Sequence, residues 1–449
     1  MINFKLKKHQ KEALVKSLNK DSFAFFMDMG TGKTLTVLNW IKYKCLNKVL
    51  VVLRKDDFLT WRDQNNDFMG FSICEVVGSR IEKKEILKNH NSRLLLISYD
   101  SLKALIPILR KISFDAIVCD ESTKIKNYSM RTKAVFKLAK YIKHKAVLTG
   151  TPSTNSIEDL VYQIKLLDGG SRLGTNKYNF HKKFCRKMYP FGYEFIPSNM
   201  KRINRKLDSV SYTISSDACL DLPDSLYIIK EAEETLDQKR YTRQIIDDWE
   251  INIDSTSEMV EYAISKLIKL QQISSGFLKI NNSIFKFASG KIDTLLSLII
   301  DSLKEKDKIV IWCNFNYEIE LIKNAIEQKE LGQCVTYNGK TKDKESVRKE
   351  FKNNKFVRFF IGQVRCGVGM NELVVSDTAI YFSNSYSLEA RLQSEKRIRR
   401  IGSENHSKIL YIDIVTKNSP VDVEILECLK NNKEILNEIM NFKIFKKDG

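Results

Sequence analysis

The residues with the most chemical potential lie in Phe23-Ala24-Phe25-Phe26-Met27-Asp28-Met29-Gly30-Thr31-Gly32-Lys33-Thr34. There an apolar run breaks into a glycine turn, and Lys-Thr opens a second apolar stretch, Leu35 to Tyr43. This is the strand–loop–helix context of a phosphate-binding loop. Gly30 and Gly32 free the backbone from Met29 through Thr31 to Thr34 to turn its N–H groups towards phosphate oxygens, where a helix N-terminus adds positive potential. Lys33 would reach the β- and γ-phosphates of ATP, and the Thr34 hydroxyl would ligate Mg²⁺. The general pattern opens with a glycine where this chain has Met27, and the spacing also fits a tight turn of no chemical meaning. A second candidate is Asp115-Ala116-Ile117-Val118-Cys119-Asp120-Glu121, a strand that ends in two carboxylates. Asp120 would hold Mg²⁺ through water, and Glu121 would orient and deprotonate the attacking water. The same pair also reads as a solvated strand end.

The elements that must position these groups are short apolar runs alternating with helical stretches. Val49–Leu53, Leu94–Ser98, Ala116–Cys119 and Ala146–Leu148 read as strands in the first half. Ile309–Cys313, Cys334–Tyr337, Arg358–Ile361, Ala379–Phe382 and Ile409–Val415 do so in the second. Near-continuous apolar strands separated by helices predict parallel sheets covered on both faces, so two α/β domains are expected. Between them Ile157–Leu167, Thr235–Trp249 and Glu258–Gln272 read as helices, while Lys182 to Arg205 is basic and aromatic without a clear period. The change of domain is placed near Ile214, before Leu222-Pro223, with a helical insertion over about 156–205 and a helical segment over about 231–280.

A length of 449 residues suits two or three domains. The net charge of +20 implies a polyanionic partner, nucleic acid first and an anionic membrane surface second. A compositional bias towards Lys, Asn and Ile would give the same surplus. Nine cysteines without a CxxC pair indicate neither zinc nor a disulfide framework. No apolar run reaches membrane-spanning length, and the basic stretch Met1–Gln10 lacks the apolar core of a signal peptide. A soluble protein in a reducing compartment is expected. No heptad suggests association, so a monomer is expected.

The order of segments resembles a superfamily 2 helicase-type motor of the Swi/Snf-type branch. Lys7-Lys8-His9-Gln10 resembles its adenine-reading segment, with Gln10 as the reading amide, and Met27–Thr34 resembles its nucleotide loop, which also lacks the opening glycine. Val51 to Trp61 and Ile97–Leu102 resemble the DNA-contact segments of lobe 1. Asp120-Glu121-Ser122-Thr123-Lys124-Ile125-Lys126-Asn127 is close to the family's Asp-Glu-Ala-His…Ile-Lys-Asn, and Leu148-Thr149-Gly150-Thr151-Pro152 is similar to its coupling segment. In the second half, Ile311–Phe315 and Tyr337–Thr341 resemble the strand-touching segments of lobe 2. Gly362–Asn371 and Gln393–Gly402 resemble the family's Gly-rich segment and its terminal Gln…Arg…Arg-Ile-Gly motif.

The resemblance implies two RecA-like lobes in tandem with ATP and Mg²⁺ between them. It also implies a cytoplasmic protein, in a bacterium or a phage-infected host cell. It adds Gln393, Arg397 and Arg400 to the catalytic set, and Gly369 to the nucleotide contacts. Arg397 and Arg400 lie three apart, so on a helix they would project from one face. A DNA strand would be held by Arg54, Trp61, Ser98, Tyr99, Lys126 and Thr149 in lobe 1 and by Asn314, Lys340, Thr341 and Gln363 in lobe 2. Trp61, Trp312 and Phe315 could stack on bases, yet each borders an apolar run where packing is the ordinary role. Thr123 stands where the family usually has His, so the link from hydrolysis to lobe movement is in question. With the chain ending at Gly449, a compact DNA motor acting on branched DNA is expected rather than a chromatin remodeller. A duplex translocase that separates no strands, an RNA helicase and a non-hydrolysing ATP-gated clamp are the competing readings.

Overall fold

The structure, a computed structural model, describes residues 6–153, 156–188, 193–248, 250–253, 256–259, 263–281, 283–366, 370 and 372–441. The chain forms two compact units, Met1–Leu220 with Asn432–Gly449, and Asp221–Asn431. The boundary therefore falls six residues beyond Ile214, after the last strand of the first sheet.

The first unit is built on a seven-stranded sheet. Its spatial order is Ile73–Val76, Leu94–Ser98, Val49–Leu53, Ala116–Cys119, His144–Leu148, Ser22–Met27, Ser211–Ile214. Every pairing is parallel. The alternation of side chains explains the apolar runs: Phe23, Phe25 and Met27 enter one core while Ala24 and Phe26 enter the other. Three neighbouring strands, ending at Cys119, Leu148 and Met27, thus deliver Asp120, Thr149 and the glycine loop to the same edge of the sheet. The carboxyl ends of parallel strands are where open α/β sheets place their ligands.

The stretch without a clear period folds as a helix Lys177–Phe184, a hairpin of Cys185–Lys187 with Tyr193–Phe195, and a helix Asn199–Asp208. The helix expected over Glu258–Gln272 is corrected: Thr256–Met259 pairs antiparallel with Glu250–Ile253, and the helix spans Ala263–Ser274. The one expected over Thr235–Trp249 spans Leu236–Arg243 and runs into a wider turn, Gln244–Asp248; Trp249 lies outside the described residues.

The second unit repeats the architecture with six parallel strands. Their order is Asp224–Ala232, Lys408–Thr416, Thr378–Tyr381, Ile309–Cys313, Val357–Gln363, Gln333–Tyr337. The helix Leu388–Ile398 is anchored through Arg391, whose guanidinium lies 3.5 Å above the Tyr381 ring. Arg391 pairs with both carboxylate oxygens of Asp413 and, at 2.7 Å, with Glu395. The chain is two RecA-like parallel-sheet lobes in tandem, with helical insertions.

Candidate nucleotide and strand-binding site

The glycine loop is held before any ligand arrives. Asp28 accepts the Met29 N–H on one oxygen at 2.7 Å and the N–H and hydroxyl of Ser216 on the other. Gly30 and Gly32 have φ of +78° and +82°, in the left-handed region that glycine enters freely. A side chain at Gly32 would also come within 2.1 Å of the Gln10 amide nitrogen. The helix begins at Lys33, whose ammonium donates to the Asp28 carbonyl at 3.1 Å, and Thr34 follows in its first turn. His9 and Gln10 both reach the Thr31 carbonyl, at 2.8 and 3.1 Å, and Gln10 accepts the Lys7 N–H. Both ends of the Gln10 amide therefore engage the chain itself, one of them on the nucleotide loop.

Asp120 is buried at the end of its strand and receives three donors. The Glu121 N–H reaches Oδ1 at 2.9 Å, the Trp61 indole N–H reaches Oδ2 at 2.8 Å, and the Tyr99 hydroxyl donates to its carbonyl at 2.8 Å. Burial first, then the charges of Glu121 and Asp57, pushes the Asp120 carboxyl up to about 7, against the Trp61 hydrogen bond and the Lys33 charge. Crowded buried carboxylates are relieved by a cation. The donors here are oxygens, the hard set that Mg²⁺ prefers. Among the described residues no three His, Cys, Asp or Glu side chains gather into a metal cluster. The Asp120 carboxylate and the Thr34 hydroxyl would supply oxygens of this kind.

Glu121 adopts φ +46°, a left-handed conformation rare for a side chain of its kind and frequent at functional sites. Its Oε2 accepts the Thr149 hydroxyl at 3.3 Å, and Thr149 in turn accepts the Thr151 N–H at 3.1 Å. Gly150 lies so close to the loop that a Cβ there would stand 3.1 Å from the Met29 nitrogen. The segment Leu148–Pro152 thus touches both Glu121 and the glycine loop. Ser122 donates to Gln163 at 2.7 Å, and Gln163 donates to the carbonyls of Pro152 and Asp159. Gln163 went unnoticed in the sequence because its motif partner is 41 residues away. Thr123 is buried, and its hydroxyl has no hydrogen-bond partner among the described residues.

Three expected strand contacts are corrected. Trp61 and Thr149 are fully buried and Tyr99 is 4% exposed. Their polar atoms are turned to Asp120 and Glu121, so they position the carboxylates instead of meeting a strand. Arg54, paired with Asp57 at 3.2 Å, and Ser98, sharing a hydrogen bond with Ser101, are half-buried. Ser98 lines a cleft of about 360 Å³ with Lys55, which belongs to the segment Val51 to Trp61, and with Arg80 and Lys83, two cations outside the motifs singled out above. Lys126 pairs with Asp159 at 3.6 Å.

In the second unit, Gln363 donates to the Asn314 carbonyl at 3.0 Å, and the Asn314 amide donates to Gln271 at 3.3 Å. Lys340 and Thr341 sit on a turn closed by Asn338, with Lys340 exposed. Trp312 is fully buried, edge-on to Phe360, and Phe315 packs edge-on to Phe277. Gln393 and Arg397 are buried on the helix Leu388–Ile398, Gln393 donating to Glu389 at 3.3 Å. Arg400 does not continue that helix face as expected. The helix ends at Ile398, Arg399 turns to donate to the Pro223 carbonyl at 2.6 Å, and Ser403 holds the Arg400 backbone in a turn. Arg400 reaches the Met370 carbonyl at 3.4 Å, and burial lowers its pKa. Gly369 lies outside the described residues.

A phosphate loop, a buried carboxylate pair at the next-but-one strand and an arginine segment on a second RecA-like lobe define a helicase-type ATPase. The sequence pattern of the SNF2-related domain matches residues 9–266, more than half of the chain, and the protein belongs to that family. It is 24% identical over 92% of both chains to putative protein p41 of Acyrthosiphon pisum secondary endosymbiont phage 1. It is also 23% identical, over 97% of its length, to an uncharacterized ATP-dependent helicase of Mycoplasma genitalium, of which it spans 42%. Among solved structures, the Sulfolobus solfataricus SWI2/SNF2 ATPase core in complex with double-stranded DNA is 21% identical over 97% of each chain, with a TM-score of 0.44.

Proposed function

We propose that the protein is a DNA-dependent ATPase that moves along DNA and remodels branched DNA by branch migration, fork regression or unwinding. The observation that carries this reading is Glu121, buried beside the phosphate loop and oriented by the Thr149 hydroxyl. A general base must be fixed in direction before it can take a proton from water. Lys33 and the loop amides would bind the β- and γ-phosphates, and Thr34 and Asp120 would hold Mg²⁺, which would neutralise phosphate charge. The family resemblance gives Arg397 and Arg400 the role of neutralising the transferring phosphoryl, a contribution of about 10³–10⁵ in rate, and Gln393 lies on the helix that carries Arg397. Thr149 and Gly150 join the base to the loop, and Tyr99, next to Ser98, joins Asp120 to a segment that resembles a DNA contact. Alternating grip on the backbone would turn the cycle into steps. The net charge of +20 supports a polyanionic track.

The test compares ATP turnover and strand separation on single strands, linear duplex, a fork and a four-way junction, with Lys33→Ala as the blank. Strongest stimulation and strand separation on branched DNA is the expected result. Equal stimulation by linear duplex with no separation would assign a duplex translocase instead, and stimulation by RNA alone would assign an RNA helicase.

A further inference from the structure

The stretch 170–209 holds ten Lys and Arg against two Asp and Glu, a surplus of eight in a chain whose net charge is +20. It lies outside the nucleotide site and the strand contacts discussed so far. Its fold brings the charges together. The Phe184 carbonyl at the end of one helix accepts from the Ile196 N–H at 3.1 Å and the Asn199 amide at 3.0 Å, and the Arg202 guanidinium lies 5.3 Å over the Phe184 ring. The basic last turn of Lys177–Phe184 therefore meets the start of Asn199–Asp208. Phe180, Phe184, Ile203 and Leu207 enter the core beneath, which leaves Lys182, Lys183, Arg186, Lys187, Lys201 and Arg205 exposed on the outer side.

Ordinary structural roles account for only part of this charge. Cations in the last turn of Lys177–Phe184 complement its dipole, and Arg186 pairs with Glu194 across the hairpin. Lys201, however, sits in the first turn of Asn199–Asp208, which holds no acidic residue, and Arg202 follows it. Cations at the positive end of a helix are disfavoured unless an anion faces them. Among the described residues no carboxylate pairs with Lys183, Lys187, Lys201 or Arg205. Tyr178 and Tyr193 add exposed rings, 54% and 40% accessible, the second stacked on His181.

We infer that this face is a second DNA-binding surface, which grips the phosphate backbone of a DNA segment other than the one the motor tracks. A cluster of unpaired cations at several steps along a rigid support recognises phosphates without regard to sequence. The inference rests on the proposed DNA-dependent activity and adds to it a reason for preferring DNA with more than one arm.

The test uses the full chain carrying Lys183→Gln, Lys187→Gln, Lys201→Gln and Arg205→Gln. A control removes as many exposed cations elsewhere on the first unit, through Lys103→Gln, Lys111→Gln, Lys137→Gln and Lys140→Gln. Affinity for a four-way junction is measured by fluorescence anisotropy from 50 to 200 mM salt, alongside ATP turnover at saturating junction. Each phosphate that is no longer neutralised by a cation lowers the slope of log affinity against log salt by about 0.9. The first variant should lose up to about 3.6 from that slope and keep its saturated turnover; the control should keep both. Equal slopes in wild type and the first variant, or an equal fall in both variants, would overturn the inference while leaving the motor reading intact. Wild-type protein without DNA-stimulated turnover would instead refute the motor reading.

Discussion

Replacing Thr149 by Val removes one hydroxyl from a fully buried site and leaves the volume almost unchanged. Two bonds go with it, the 3.3 Å donation to Glu121 and the 3.1 Å acceptance from the Thr151 N–H. A hydrogen bond to a charged group is worth about 1.5–3 kcal/mol, and the length of this one places it at the lower end. If the bond serves to aim the base, that energy is lost from the transition state, and about 1.4 kcal/mol corresponds to tenfold in rate. Thr149→Val should therefore lower kcat for DNA-stimulated ATP hydrolysis about tenfold. KM for ATP should change less than twofold, because the hydrogen bonds of the Thr149 hydroxyl run to Glu121 and Thr151. Thr149→Ser, which restores the hydroxyl, should recover most of the rate. Unchanged kcat in the Val variant, or a raised KM at constant kcat, would refute the assignment of Thr149 to the base.

Other substitutions probe the supports around it. Gly32→Ala forces a side chain into φ +82° and against Gln10, so a left-handed penalty of about 1–2 kcal/mol should weaken ATP binding about 5–30-fold by calorimetry; equal affinity would contradict the loop geometry. Ser122→Ala and Gln163→Leu remove the two ends of one buried bond, and their urea-melt destabilisations should be non-additive by about 1 kcal/mol in a double-mutant cycle. Strict additivity would show that the bond is not formed. Arg391→Met strips Asp413 and Glu395 of their cation and should cost the second unit about 3–5 kcal/mol in chemical denaturation, whereas a loss below about 1 kcal/mol would contradict the buried network.

What could be read from the residues follows from which atoms impose a local rule. Strands buried on both faces must be apolar throughout, so Val49–Leu53 and Leu94–Ser98 stand out in the sequence with their observed bounds. The edge strands Ile73–Val76 and Asp224–Ala232 do not, because a strand with one neighbour tolerates Glu75, Ser225, Lys230 and Glu231. The glycine loop was legible because left-handed φ at Gly30 and Gly32 demands a residue type. The direction of a side chain imposes no such signature. Trp61, Tyr99 and Thr149 sit in segments that resemble strand contacts, and only the packing turns them inward to the carboxylates. Arg400 illustrates the same limit, since three-residue spacing implies a shared face only while the helix lasts, and it stops at Ile398.

The central claim is that Glu121 acts as the base of a DNA-stimulated ATPase. Its most direct test measures steady-state ATP turnover with and without duplex DNA for wild type and Glu121→Gln, together with ATP affinity of both. Gln keeps the shape and cannot take a proton, so turnover should fall about 10²–10⁴-fold while ATP binding is retained. Glu121→Gln hydrolysing ATP within a few-fold of wild type, or a wild type that DNA does not stimulate, would contradict the account.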